Sequence, residues 1–248
     1  MIITLTPPQN ITFIDVGTST PKLGGVIDVS DFTNLQLLYC SGNDLTEVNG
    51  YADNPNIQFL LIASNQLSGP IPDITGMSSL KRFWVMVNQF TGTFPDISGN
   101  PDLEVINVGN NNLTGTLPDI SAIEFPGSAW GFGFPDLIRF NVYGNSFTGA
   151  IPDMVNIPKL KYLLADNNNL TDFTGSFPIT LERVFVNSNN LTQTAVDNIL
   201  RALVDANRVT NMDNAILNIG GTGNSAPSAT GIALRNVLVA DGWTVFTN

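Results

Sequence analysis

A short stretch that returns along most of the chain constrains the fold more than any other feature of the sequence. It is clearest between Leu80 and Ile97, where LxxLxLxxNxL is followed by TGxxPDI. The apolar positions of its first part are spaced as in a β-strand, and its second part contains turn residues. One such unit cannot bury its own apolar side, whereas stacked neighbours bury a continuous core. The sequence therefore predicts a solenoid.

Seven clear copies of the stretch follow one another, and the asparagine of the motif marks each of them. These asparagines are Asn43, Asn65, Asn88, Asn111, Asn145, Asn168 and Asn189, at steps of 22, 23, 23, 34, 23 and 21 residues. Over residues 11–191 the chain resembles the leucine-rich repeat family, and its LTGxxPD segments resemble the plant-type subclass. The resemblance implies an α/β solenoid, a right-handed superhelix with a parallel curved sheet and little helix.

Two motif positions carry chemistry of their own. The asparagine side chain has donors and an acceptor, so a buried column of asparagines is expected to satisfy backbone groups at the turns. The aspartates of the recurring PDI element are either a column of metal ligands or caps of short helical turns. We favour the caps, because turn chemistry alone explains the spacing, and we expect no metal site. These aspartates are Asp73, Asp96, Asp119 and Asp153.

The two ends of the chain depart from the repeat. Residues 1–33 are predicted to form an N-terminal capping unit, residues 34–191 the repeats, and residues 192–248 an α/β C-terminal cap that adds a strand–helix–strand unit. Thr194 is predicted to cap a first helix, with Asp197 as its capping-box partner. Residues 217–245 resemble the terminal segment of leucine-rich proteins found in bacteriophage and bacterial genomes.

The single step of 34 residues indicates an insertion at about residues 122–134. Insertions in repeat proteins lie in loops on one face, often the binding face. The alternative is that its aromatic residues fold back and cover the solenoid locally. These candidates are Phe125, Trp130, Phe132 and Phe134.

Composition excludes several classes of function. The net charge of −11 argues against nucleic acid and against an anionic membrane surface as partners. The chain has no histidine, so Ser–His and Cys–His nucleophilic pairs are excluded. Its one cysteine, Cys40, occupies an inward motif position and reads as a buried thiol. We therefore expect no catalytic residue, no cofactor and no enzyme.

The sequence also indicates the compartment in which the protein is made. Residues 1–13 lack the basic and long apolar regions of a secretory signal, and no apolar run of 18 residues occurs. Synthesis in a cytoplasm is the expectation, with a cell-surface or secreted protein as the alternative.

The outward positions of the repeats predict the binding surface. The first three clear units present a group of apolar and aromatic side chains on the predicted concave face, which is typical of a protein interface. The alternative is that the N-terminal segment covers this group. The predicted partner-binding residues are Leu37, Tyr39, Phe59, Leu61, Trp84 and Met86, followed in the C-terminal half by Tyr143, Tyr162 and Phe185.

Three hypotheses follow. The first is a non-enzymatic protein-interaction or structural repeat protein, a phage virion component such as a capsid decoration or tail-associated protein that docks on a virion structural protein or on its own copies. The second is a carbohydrate- or receptor-binding adhesin, in which Tyr143, Tyr162 and Asp166 stack on sugars and hydrogen-bond to them. The third is a glycoside hydrolase with dispersed carboxylates.

Overall fold

The computed structural model describes residues 2–4, 10–124, 133–206 and 215–248, the first of these ranges for its backbone only. The chain divides into two compact units, unit 1 (Met1–Leu113) and unit 2 (Thr114–Asn248). The division into a capping unit, repeats and a C-terminal cap at residues 33 and 191 stays a prediction.

Unit 1 is built from short strands, and its described residues contain no helix. Its main sheet has the order β2-β4-β6-β8-β10, and two side sheets have the orders β1-β3-β5 and β7-β9. All of these strand pairs are parallel. The strands are β1 (Ile2–Thr4), β2 (Phe13–Asp15), β3 (Gly24–Asp28), β4 (Leu37–Tyr39), β5 (Asp44–Asn49), β6 (Phe59–Leu61), β7 (Ser68–Pro70), β8 (Arg82–Trp84), β9 (Gln89–Thr91) and β10 (Val105–Asn107).

Unit 2 repeats this architecture and adds two helices. Its main sheet has the order β12-β14-β16-β17-β18, and its side sheet the order β11-β13-β15, with parallel pairing in both. The elements are β11 (Thr114–Thr116), β12 (Arg139–Asn141), β13 (Ser146–Ile151), β14 (Tyr162–Leu164), β15 (Asn169–Phe173), β16 (Arg183–Phe185), α1 (Gln193–Asp205), β17 (Ile216–Asn218), α2 (Ala229–Ala240) and β18 (Thr244–Phe246).

The predicted fold class is confirmed. In unit 1 the central residue of each main-sheet strand points inward and stacks on the next, as Leu38, Leu60 and Phe83 do in register at zero exposure. In unit 2 the strand–helix–strand segment β17-α2-β18 extends the parallel main sheet. The core is therefore a column of apolar side chains between the main sheet and the turns.

The motif asparagines form the predicted hydrogen-bonded column. The amide of Asn65 donates to the carbonyl oxygens of Cys40, Ile62 and Ala63 at 3.0–3.2 Å, and its Oδ1 accepts from the Leu45 N–H at 3.1 Å. Closely similar bonds occur at Asn43, Asn88, Asn111, Asn168, Asn189 and Asn224. Asn224 was missed in the sequence because the glycine-rich segment before it reads only as a turn.

The residue before each motif asparagine has a left-handed backbone. These residues are Gly42, Ser64, Val87, Asn110, Gly144, Asn167 and Ser188, with φ between 49° and 75°. Glycine and asparagine tolerate this conformation, whereas a β-branched residue such as Val87 is strained by it. The turn after each of these main-sheet strands thus depends on a residue with a left-handed backbone, and the repeat motif does not predict that conformation.

The PDI aspartates cap turns rather than helices. Oδ1 of Asp73 accepts from the Thr75 N–H at 2.9 Å, and the same bond to the residue two positions later occurs at Asp96, Asp119 and Asp153. Each therefore makes an Asx turn, and the expectation of a short helical turn is wrong in this detail.

The first helix begins two residues earlier than predicted. Thr192, not Thr194, is its N-cap, and its Oγ1 accepts from the Ala195 N–H at 3.1 Å. Asp197 is not a capping-box partner, because its carboxylate accepts from the backbone and hydroxyl of Ser228, the N-cap of α2. Asp197 therefore ties the two helices together.

The predicted insertion is described only in part. Phe125, Trp130 and Phe132 lie outside the described residues. Phe134 has zero exposure and precedes Leu137 by the same three positions that separate Phe32 from Leu35. Phe134 is therefore a core residue of a regular turn and not an exposed residue of a binding loop.

Candidate binding faces

Six of the predicted partner-binding residues lie together on the outward side of the unit 1 main sheet. We call this surface the unit 1 face: Leu37, Tyr39, Phe59, Leu61, Trp84 and Met86. Strand register places Leu37, Phe59 and Arg82 in one row and Tyr39, Leu61 and Trp84 in the next. Neighbours within a row are about 4.8 Å apart, so the side chains form a continuous surface. Trp84 is 37% exposed and the other five are half-buried.

Contacts within the face hold several of these side chains in place. The guanidinium of Arg82 lies 5.5 Å from the centroid of the Phe59 ring. The Asn107 amide is 2.9 Å from the Met86 thioether sulfur and donates to it. A Cβ on Gly17 would lie 2.4 Å from the Tyr39 ring, so the ring packs directly on the glycine backbone. The face is therefore largely preorganised, which lowers the entropic cost of binding.

One exposed aromatic residue next to this face was missed in the sequence. Phe13 pairs in register with Leu37 and is 62% exposed. In the degenerate first repeat Phe13 occupies the outward position that Leu37 occupies in the next repeat. That position is the only feature of the sequence that could have identified it.

The described part of the N-terminal segment lies beside the unit 1 face and not over it. Strand β2 pairs with β4 at the edge of the main sheet, and β1 pairs with β3 in a side sheet. Trp84 keeps its exposure in this arrangement. The described residues therefore leave the face open.

The remaining predicted residues line a hollow in unit 2 of about 260 Å³. We call it the unit 2 hollow. The residues that line it are Arg139, Tyr143, Tyr162, Leu164, Asp166, Arg183 and Phe185. Register places Tyr162 between Arg139 and Arg183 in one row, and Leu164 beside Phe185 in the next. The structure thus brings Tyr143, Tyr162 and Phe185 together with two arginines in one hollow.

Side-chain contacts fix the rim of this hollow. The guanidinium of Arg139 lies 4.6 Å from the Tyr162 ring centroid, at cation–π distance. The Tyr162 hydroxyl donates to Glu182 Oε2 at 3.4 Å, and Lys161 pairs with Glu182 at 2.7 Å. The hydrogen bond that Lys161 donates to Glu182, together with the charge of Glu182, raises the pKa of Lys161. Tyr162 is therefore held at its hydroxyl and on one ring face.

Asp166 is the only carboxylate among the lining residues. Burial raises its pKa above the ordinary value, although the hydrogen bond from the Asn167 amide at 2.6 Å acts in the opposite direction. Burial, with the charge of Asp166 as a second cause, also raises the pKa of Tyr143.

The described residues offer little support for metal binding, for a membrane-spanning helix or for a reactive thiol. They contain no group of three or more potential metal-ligating side chains. None of their helices is long and apolar enough to cross a membrane. Cys40 is buried, and burial raises the pKa of its thiol to about 12, so the reactive thiolate is disfavoured.

The comparisons with known proteins agree with this architecture. The family described as Leucine Rich Repeat matches residues 102–122. The chain has the leucine-rich repeat fold. No curated protein matches the chain in sequence.

Three solved leucine-rich repeat structures illustrate the likeness. The ectodomain of the Arabidopsis receptor kinase HAESA, in complex with a peptide hormone ligand, is 24% identical with a TM-score of 0.55, over 69% of this chain and 29% of that one. A leucine-rich repeat protein of Leptospira interrogans is 19% identical with a TM-score of 0.62, over 89% and 54%. The effector YopM of Yersinia pestis is 27% identical with a TM-score of 0.51, over 64% and 39%.

The chain spans 29–54% of the length of those three proteins. The fold is typical of binding proteins, and nothing in the comparisons indicates an enzyme. None of the three bears on the phage-like resemblance of residues 217–245, which stays a prediction.

Proposed function

We propose that this chain is a non-enzymatic protein-binding module that docks another protein on the unit 1 face. One observation carries the proposal: three neighbouring strands present apolar or aromatic side chains outward, with Trp84 37% exposed among them. Singly exposed apolar residues are common on monomers, but a contiguous group marks an interaction site. HAESA, which shares the fold, was solved with a peptide ligand, and this supports a peptide or protein partner.

The chemistry of the face defines the partner it fits. Trp, Tyr, Met and Arg are enriched at protein interfaces, and this face combines Trp84, Tyr39 and Met86 with the neighbouring Arg82. The partner is expected to present an apolar surface of matching size with an acidic residue opposite Arg82.

The direct test is affinity capture from the source cells with Trp84→Asp and a matched control. Ile179→Asp introduces the same charge at a residue that is 69% exposed and belongs to unit 2, so it is not one of the residues of the unit 1 face. A protein captured by the wild type and by Ile179→Asp, and lost with Trp84→Asp, is expected. The captured protein is then titrated in purified form. Equal binding by the two variants would refute the assignment of the face.

A second copy of the chain is one partner that the same face could take. Sedimentation of the purified wild type and of Trp84→Asp distinguishes this case from a different protein. An oligomer that dissociates on Trp84→Asp identifies self-association, whereas a monomer in both samples leaves another protein as the partner.

The narrower proposal is that the partner is a virion structural protein. It is supported by the resemblance of residues 217–245 to leucine-rich proteins of phage and bacteria. Immunogold labelling of purified virions from the source is the test, and labelled particles are expected. Unlabelled particles would remove the virion setting while leaving the docking proposal intact.

The carbohydrate-binding alternative concerns the unit 2 hollow. Tyr143, Tyr162 and Asp166 do line one hollow, as that hypothesis requires. However, Arg139 covers one face of the Tyr162 ring, which is the surface that a stacked sugar uses. The alternative stays a prediction, and a glycan array without a ligand would exclude it.

A further inference from the structure

The unit 2 hollow contains two arginines that form no ion pair with an acidic residue in the described part of the chain. The ion pairs among the described residues use Lys22, Lys159 and Lys161, and none of them uses Arg139 or Arg183. Both arginines line the hollow, on strands separated by one strand, so their backbones are about 10 Å apart. In a chain of net charge −11, two arginines on one open surface that form no ion pair with another described residue need an explanation.

The position of Arg139 suits an anionic ligand better than a sugar. Its guanidinium lies on the Tyr162 ring and is thereby fixed in orientation, which reduces the entropy lost when it binds. The ring face beneath it is no longer free for stacking. A planar guanidinium held in this way presents paired N–H donors, whose spacing matches the two oxygens of a carboxylate.

The rest of the hollow is apolar in the middle and weakly charged overall. Leu164 and Phe185 form its floor between the arginine row and Asp166. Glu182, which accepts from Tyr162, is already paired with Lys161. Asp166 is thus the one carboxylate that opposes the two arginines, and the hollow carries a net positive charge.

We infer that the unit 2 hollow binds a short acidic peptide segment of a partner protein. A carboxylate of the segment pairs with Arg139 and Arg183, and a neighbouring apolar side chain packs on Leu164 and Phe185. The volume of about 260 Å³ is below the range of about 300–1,000 Å³ for drug-sized ligands, so it suits one or two side chains. This site is separate from the unit 1 face and does not rest on the function proposed for that face.

The test uses a fluorescent octapeptide of sequence EELEELEE, with the neutral QQLQQLQQ as its matched control. Titration into the intact chain at about 0.15 M salt is expected to show saturable binding of the acidic peptide only, because surface charges are screened at this ionic strength. Arg139→Gln and Arg183→Gln are each expected to weaken binding about tenfold. Arg139→Lys is also expected to weaken binding, since lysine keeps the positive charge but lacks the paired N–H donors of the guanidinium.

Matched variants separate site binding from general attraction. Lys159→Gln combined with Arg201→Gln removes two positive charges, one more than either arginine variant, from exposed positions of unit 2 outside the hollow, and affinity is expected to stay unchanged. Asp166→Asn removes the opposing carboxylate, so it is expected to strengthen binding. Trp84→Asp is expected to have no effect, which keeps this test independent of the unit 1 face.

Several results would overturn the inference. The absence of saturable binding up to about 5 mM peptide would do so, because a dissociation constant above that concentration is too weak for a specific peptide site. An equal loss with the Lys159/Arg201 pair would show nonspecific attraction. Tighter binding of trigalacturonate, lost with Arg183→Gln, would assign the arginines to an acidic glycan instead. Thermal melts of every variant establish that the chain remains folded.

Discussion

In unit 1 the outward row across the main sheet is Leu37, Phe59 and Arg82, and in unit 2 the corresponding row is Arg139, Tyr162 and Arg183. The backbone positions are equivalent and the inward side chains are apolar in both units. The outward side chains differ: one face is mainly apolar, and the other combines two arginines with Tyr162 and with the apolar Leu164 and Phe185. Because outward positions do not affect the core, each unit can present different chemistry on the same scaffold.

The two units are expected to depend equally on the buried asparagine of their repeats. Asn65→Ala in unit 1 and Asn168→Ala in unit 2 each leave a buried N–H, that of Leu45 or of Phe147, without its acceptor. Each is expected to lower the free energy of unfolding by about 2–4 kcal/mol in urea titrations.

The exposed Asn112→Ala provides the control and is expected to change that free energy by less than about 0.5 kcal/mol. A loss confined to one of the two buried asparagines would mean that the units are not held together in the same way.

A second prediction sharpens the contrast between the faces. Trp84→Asp is expected to cost about 2 kcal/mol or more of affinity for the captured partner, since aromatic anchors dominate interface energies. Arg183→Gln is expected to leave that affinity unchanged. Calorimetric titration of both variants measures the two effects. Equal losses would show that the two surfaces act as one.

A third prediction concerns the left-handed turns that follow the strands. Val87 in unit 1 and Asn167 in unit 2 have nearly equal φ of 55° and 54°, but only Val87 is β-branched. Val87→Gly is expected to raise the free energy of unfolding by about 0.5–1 kcal/mol, because it relieves the strained backbone. Asn167→Gly is expected to give no such gain. A decrease with Val87→Gly in urea titrations would contradict this.

The smallest expected effect is the pH dependence at Asp166. Burial raises its pKa in the folded chain above the value of 3.8 for the unfolded one, so the carboxyl group destabilises the folded state once it ionises. Asp166→Asn is therefore expected to stabilise the chain at pH 7, with the gain shrinking as the pH falls towards 3.8. Melting temperatures across that range measure it, and a gain that grows at low pH would contradict the sign.

The sequence predicts most of the scaffold and only part of the binding faces. The repeat locates Leu38, Leu60 and Phe83 in the core, because a period fixed by stacking leaves few alternatives. It misplaces the N-cap at Thr194, since Thr192 is an equally good candidate in sequence. It leaves Arg139 unassigned, because the cation–π contact with Tyr162 joins residues from different repeats.

The most direct test of the central claim is photo-crosslinking in the source cells with p-benzoylphenylalanine at position 59 or position 179. Phe59 lies on the unit 1 face, and Ile179 is a more exposed apolar residue that belongs to unit 2. Irradiation is expected to join another polypeptide to the chain from position 59 and not from position 179. Adducts of equal yield from both positions, or none from position 59, would contradict a docking role for the unit 1 face.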